Sequence, residues 1–193
     1  MDFDYFNFKS NNKVTKGSLI LSQPLMKDLN FERSIILICE HSSDGSFGYK
    51  LNDKLSPDSI MSDLNQIIKE NLYLGGPVEN SYLNFIHSSD KIKDSVKIKN
   101  DIYLGGDLDS VLEDAKNNVS DLKLKFFSGY SGWSAGQLDK EIEENSWIVI
   151  NEYISNFIFD EIDEKFWTSF LSDRKSTRLN SSHSQQSRMP SSA

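Results

Sequence analysis

The sequence predicts an α+β fold built on a largely antiparallel sheet with about four covering helices. Three observations predict it. Apolar segments of strand length recur in pairs joined by short polar turns, the most complete being Arg33–Asn52, RSIILICEHSSDGSFGYKLN. Helical periodicity is confined to about four stretches inserted among those pairs. The regular strand–helix–strand alternation of a doubly wound parallel sheet is absent.

Taken in order, residues 1–16 form an irregular arm, polar with scattered Phe and Tyr. Gly17–Ser22 (GSLILS) is the first strand, ended by Pro24, which has no N–H to give a ladder. Ile35–Cys39 is an unbroken apolar run rich in β-branched residues, suited to a strand buried on both faces and placed at the centre of the sheet. His41–Ser46 supplies turn chemistry, because Asp and Ser bond nearby backbone and Gly takes positive φ. Phe47–Asn52 returns as the partner, with Gly48 marking a bulge or a close approach.

Ser56-Pro57-Asp58 starts a helix: a capping hydroxyl, a proline at a position that needs no N–H, and an acid facing the positive end of the dipole. Ile60, Leu64, Ile67 and Ile68 continue it at helical spacing over Pro57–Glu70, with one face on the sheet. Two similar phrases follow, Tyr73-Leu74-Gly75-Gly76 and Tyr103-Leu104-Gly105-Gly106, each a short strand closed by a glycine pair. His-Ser-Ser-Asp also recurs, at His41 and His87, but at a different offset, so there is no fixed-period array. Tyr82–His87 is a strand between the phrases. The pairs Lys91/Lys93 and Lys97/Lys99 fit a solvated edge strand guarded by lysine.

Asp107 caps a helix carrying Leu108, Val111, Leu112 and Ala115. Leu122–Tyr130 is a strand that closes on a tight turn at Gly129–Trp133, after which Ser134 caps a helix through Leu138 and Ile142. Trp147–Ile150 is another strand and Phe157–Phe159 a short extended piece. A last helix over Asp160–Leu171 aligns Ile162, Phe166, Trp167 and Phe170.

With 193 residues and 37% hydrophobic content, the chain can bury one sizeable core, which makes 17–172 a single domain. No run is long and apolar enough for a membrane span, and the acidic, aromatic start carries no export signal. One cysteine cannot form an intramolecular disulfide, which fits a reducing cytoplasm. Residues 173–193 change composition abruptly, to a Ser-rich, basic stretch whose DRKSTRLNSSH and SRMPSSA resemble an in-frame translation of a sequencing-library adapter. That tail is expected to be non-native and disordered, with the natural C-terminus missing. Setting aside its four basic residues and Asp173 takes the formal charge from −8 to −11. A chain so acidic repels a phosphate backbone, so direct nucleic-acid binding is disfavoured.

Cys39-Glu40-His41 is the sharpest chemical constellation. Strand residues two apart share a face, which would set thiol and imidazole side by side, and an imidazolium favours the reactive thiolate. The competing reading is an inert core cysteine, the usual state of a lone Cys in an apolar run. A metal site would need Cys39, His41 and His87 to converge, and their spacing matches no zinc motif, so no metal is expected. Arg33 is the only arginine before residue 173, which points either to a planar bidentate donor or to an ion pair with Glu32 or Glu40. Gly105-Gly106-Asp107 could present backbone N–H groups to an anion where a helix begins, yet Asp107 puts negative charge there, and turn geometry explains the glycines better. No Walker or dinucleotide spacing calls for a cofactor. Trp133 and Trp147 read as packing residues rather than base-stacking platforms.

Together KGSLILSQP, FERSIILICEHSSDGSFGYKLN, YLGGPVE, FIHSS, IYLGGDLD, FFSGYSGWSAGQLDKEI and SWIVI resemble the YqgE/AlgH family, over about Lys16–Leu171. The resemblance implies that the sheet is bent and bifurcated and forms a pseudo-barrel. It carries over Arg33, Ser34, Glu40, His41, Gly48, Asn52, Gly75, Gly76, Pro77, His87, Gly105, Gly106, Asp107, Gly129, Tyr130, Gly132, Trp133, Gly136, Gln137, Leu138 and Trp147 as characteristic positions. Two departures stand out: Lys50 replaces an apolar strand residue, and Asp53-Lys54 replaces an Arg-Pro pair after Asn52, removing an arginine on which an anion site would depend. The family has no settled biochemical activity, and its transcriptional-regulator label rests on one bacterial context.

Two function classes follow. The first is a non-catalytic binding or regulatory domain that meets a protein or small molecule in a groove or at a sheet edge, with Arg33, Asn52, His87 and Gly105–Asp107 as ligand-contact candidates. The second is an enzyme or redox sensor using Cys39 with His41.

Overall fold

The structure, a computed structural model, describes residues 13–56, 64–117, 122–162 and 166–168. Among the described residues there are nine strands: β1 (Leu19–Ser22), β2 (Ile35–Ser42), β3 (Gly45–Lys50), β4 (Leu72–Leu74), β5 (Val78–His87), β6 (Val96–Lys99), β7 (Ile102–Leu104), β8 (Leu124–Ser134) and β9 (Trp147–Ile150). They form one sheet in the order β6-β7-β5-β8-β3-β2-β1-β9, with β4 beside β8 off that path. Every pairing is antiparallel except β4 with β8.

The fork lies on β8. One edge carries β5, while the other carries β4 at Phe126–Ser128 and then β3 at Ser131–Ser134. The handover falls at Gly129, whose φ of +69° suits a residue without Cβ. At the hairpin, β2 and β3 approach so closely at Gly48 that a β-carbon there would lie 2.2 Å from the Leu37 carbonyl oxygen. The sheet curls without closing. Its two ends meet only through side chains, where Lys99 of β6 donates to the Asn151 carbonyl just past β9 and lies over the Tyr153 ring.

The curl encloses the main core, formed by Leu19, Leu37, Cys39, Tyr49, Ile86, Ile102, Phe127, Ile150 and Trp167 among others. Two further clusters fill the outer faces. Helices α1 (Gln66–Glu70) and α2 (Leu108–Lys116) cover Phe85 and Phe126 through Ile68 and Val111. Helix α3 (Gln137–Glu143) covers Ile36 and Ile38 through Leu138. It is anchored by Glu141, one oxygen of which accepts both indole N–H groups, from Trp133 at 2.9 Å and Trp147 at 2.8 Å. Short 3-10 helices at Leu29–Phe31 and Ser155–Phe159, and helical residues 166–168, complete the described cover.

Several boundaries differ from expectation. The turn between β2 and β3 is only Ser43-Asp44, so His41 belongs to the strand. The helix expected over Pro57–Glu70 starts at Gln66, because Asn65 has extended ψ and caps it by accepting from the Ile67 N–H; residues 57–63 lie outside the described set. Gly129–Trp133 is no tight turn: the glycines sit inside an eleven-residue strand that serves two half-sheets. Gly136, in the left-handed region, rather than Ser134, precedes α3. Phe157–Phe159 is 3-10 helix, not extended, and residues 160–162 are not helical. Asp107 stands at the N-cap of α2, yet its carboxylate accepts from the Ser110 hydroxyl instead of capping backbone. β6 is indeed an end strand carrying Lys97 and Lys99, whereas Lys91 and Lys93 lie in the preceding turn.

Candidate functional site

A β-bulge decides the chemistry of the central hairpin. Ile38 pairs with Gly48 and Glu40 with Phe47, leaving Cys39 as the extra residue. Such an insertion reverses which face later side chains take. Cys39 therefore packs in the main core with Leu37 and Tyr49, its Sγ 3.8 Å from the Leu37 carbonyl, and burial raises its pKa far above the ordinary thiol value. His41 turns the other way, toward α3: its Nδ1 shares a 2.7 Å hydrogen bond with the Ser46 hydroxyl, and its Nε2 lies 3.7 Å from Asp139. The expected thiol–imidazole pair does not form. The row Ser46, His41, Asp139 has the order of a nucleophile, base and orienting acid, but 3.7 Å is beyond hydrogen-bond range and half of Asp139's side chain is exposed.

The other singled-out residues hold the scaffold. Asn52 brackets the start of β2, accepting from the Ile35 N–H at 2.9 Å and donating to the Arg33 carbonyl at 2.8 Å. Arg33 itself has φ +50° and a half-exposed side chain 3.9 Å from Glu32. His87 is fully buried and stacked on Tyr103, with Nε2 donating to the Gly105 carbonyl at 3.0 Å and Nδ1 accepting from the Ser89 N–H at 3.3 Å. Burial lowers its pKa, so it stands as a neutral strut that fixes the glycine turn. The N–H groups of Gly105 and Asp107 already donate to the Phe85 and Lys93 carbonyls, and Gly106, at φ +102°, is pressed against the Lys93 carbonyl. That segment is a turn locked to its neighbours. Among the described residues no group of three His, Cys, Asp or Glu is placed to hold a metal ion.

A groove of about 930 Å3 opens at one end of the curled sheet. Its floor is aromatic and aliphatic: Phe47, Tyr49, Tyr130 and Leu104 rest on the main core and Tyr82 and Leu83 extend it, while Phe85 and Trp133, whose side chains pack in the two outer clusters, border it. Its rim carries Glu40 and Asp44 from the β2–β3 hairpin and Glu79 from β5, and among the described residues no lysine, arginine or histidine lines it. Phe47 meets both Tyr49 and Tyr130 edge-on, at 6.1 and 6.2 Å. Tyr49 is held un-ionised chiefly by burial. Tyr82, by contrast, is 66% exposed. The bulge creates this rim as well, since it is what turns Glu40 toward the groove.

Of the thiol and ligand-contact candidates read from the sequence, the groove takes only Gly105, and of the family's characteristic positions it also takes Glu40, Tyr130, Gly132 and Trp133. Sequence reasoning missed its walls because it sought reactive groups. The available signal was Glu40 and Glu79 inside the phrases ICEHSS and YLGGPVE, with Tyr82 alone in a polar stretch. A second crevice, of about 770 Å3, lies behind Trp133, between the 23–31 loop and α3, and is lined by Met26, Phe31 and Trp147.

Fold and groove together define a small α+β domain with a forked antiparallel sheet and a preformed acidic, aromatic cleft. The chain belongs to the AlgH-like family (DUF179), which matches residues 19–177. It is 38% identical over 163 residues to a UPF0301 protein of Cytophaga hutchinsonii, covering 82% of this chain and 88% of that one. It is 34% identical over 196 residues to UPF0301 protein BF2109 of Bacteroides fragilis, covering 97% and 94%. The solution structure of the AlgH protein from Pseudomonas aeruginosa shares the fold, with a TM-score of 0.63, 21% identity, and coverage of 96% of this chain and 100% of that chain. Protein DIP2367 of Corynebacterium diphtheriae shares it with a TM-score of 0.61, 24% identity, and coverage of 77% and 84%. No described helix is long and apolar enough to cross a membrane.

Proposed function

We propose that this protein is a non-catalytic binding domain of the cytoplasm, with a regulatory role exerted through a partner held in the groove between the β2–β3 hairpin and β5. The observation that carries the reading is the groove itself, a large concavity with an aromatic floor and a one-signed rim. What favours it over a thiol enzyme is the position of Cys39, which is 2% exposed and faces away from His41. Burial raises the Cys39 pKa by more than the opposing charge of Lys16 lowers it, and such a thiol stays protonated and unreactive.

The experiment compares two variants in a host whose own copy of the gene has been deleted. Tyr82→Ala, on an exposed side chain, is expected to abolish complementation at normal protein levels. Cys39→Ser is expected to retain it, and the folded wild-type protein to resist alkylation. Loss with Cys39→Ser at normal levels, and none with Tyr82→Ala, would reverse the assignment.

A further inference from the structure

We propose that the occupant of the groove is an extended segment of a partner protein in which two basic side chains flank an apolar one, in the pattern basic-x-apolar-x-basic. This rests on the binding reading above and names its ligand. The first argument is charge. Glu40, Asp44 and Glu79 are the charged groups of the lining, and among the described residues none of them forms an ion pair. Exposed carboxylates of one sign around an apolar floor attract a cation and repel an acidic ligand. A second copy of this chain, at a formal charge of −8, would set acid against acid.

The second argument is the floor. Phe47, Tyr82 and Tyr130 offer ring faces and apolar edges to a buried aliphatic side chain and to the methylene stems of lysine or arginine. The third is spacing. Glu79 on β5 and Glu40 on β2 stand on either side of β8 and β3, three strand intervals apart. Three intervals amount to ~14 Å across the strands, and the register sets Glu79 about three residues, ~10 Å, further along, so the two backbones stand ~17 Å apart. In an extended chain residues four apart on one face are ~13 Å apart, and the long stems of lysine or arginine span the remainder. Basic side chains at i and i+4 thus reach both rims while the residue at i+2 faces the floor. A small monovalent cation would meet one rim and leave the other unmatched.

The probe is a fluorescein-labelled peptide, Ser-Lys-Ser-Leu-Ser-Lys-Ser, titrated into the full chain by anisotropy and placed by amide chemical shifts. Saturable binding is expected, with shifts confined to residues 40–47, 78–85 and 130–134. Affinity should fall on the order of tenfold when the peptide's Leu becomes Ser, when its two Lys are made adjacent, or in the variant Glu40→Gln/Asp44→Asn/Glu79→Gln. All three positions are exposed, and circular dichroism checks that the variant keeps its fold. Stronger groove binding by the matching Glu-containing peptide would refute a cationic occupant while leaving the binding reading intact. Indifference to lysine spacing would refute the extended register. Shifts spread over the whole acidic surface, or none in the groove with any peptide, would overturn the proposal.

Discussion

Lys125 breaks the apolar pattern of β8, standing between Leu124 and Phe126 with 1% of its surface exposed. Its ammonium lies 4.4 Å from the centroid of the Tyr73 ring and donates to the carbonyls of Asp160 at 2.7 Å and Leu51 at 3.4 Å. Burial lowers its pKa from 10.5 to about 7; Lys54 pushes the same way, and Asp160 and Glu161 oppose it. A base whose pKa is depressed by folding makes the unfolded chain bind more protons between the two values, so stability rises with pH from about 7 to 10.5 and is flat below. At about 1.4 kcal/mol per pH unit, the full effect is on the order of 5 kcal/mol. Lys125→Met removes the titration, approximates the volume, and leaves two carbonyls without their donor at a cost of about 1–3 kcal/mol. The pH slope of the difference therefore isolates the ammonium, whatever its offset. Urea unfolding of both proteins at about pH 6.5, 8 and 9.5 should show the wild type gaining on the variant by roughly 1.4 kcal/mol per unit above pH 7. A constant difference would mean that the carbonyls and the Tyr73 ring fully offset burial, and the reasoning would fail.

Two further outcomes are expected. Glu141→Ala should cost about 2–4 kcal/mol in urea unfolding, because two buried indole N–H groups lose their acceptor; a loss below about 0.5 kcal/mol would show that water replaces it. Cutting after Ser172 should leave the melting temperature unchanged, as the composition of 173–193 implies; a drop of several degrees would make that stretch native structure.

Strand identity was legible where one residue type decides it. Ile35–Cys39 suits a doubly buried strand better than a short helix, and it lies inside the sheet between β1 and β3. Gly48 was readable as a close approach because a glycine in such a run has few other uses. The glycines of β8 misled for a physical reason: a strand that passes from one partner to another needs positive φ at the handover, and locally that signal equals a turn. Helix starts were misplaced where the capping side chain, Asn65, sits inside an otherwise periodic run. The site was least legible. Reactive residue types drew attention to Cys39, His41 and His87, whereas their partners, a core, a helix and a glycine turn, lie far along the chain.

The bulge at Cys39 links these levels. Without it, alternation would put Glu40 and His41 each on the opposite face, the carboxylate under α3 and the imidazole in the groove beside the thiol. That arrangement would leave a carboxylate facing Asp139 and would remove one of the three acids from the rim. With the extra residue, Cys39 fills core volume, His41 meets the hydroxyl of Ser46 near Asp139, and Glu40 joins Asp44 and Glu79 around an apolar floor. One inserted residue in β2 thus sets both what the hairpin cannot do, pair thiol with imidazole, and what the adjoining groove selects, a cation with an apolar body.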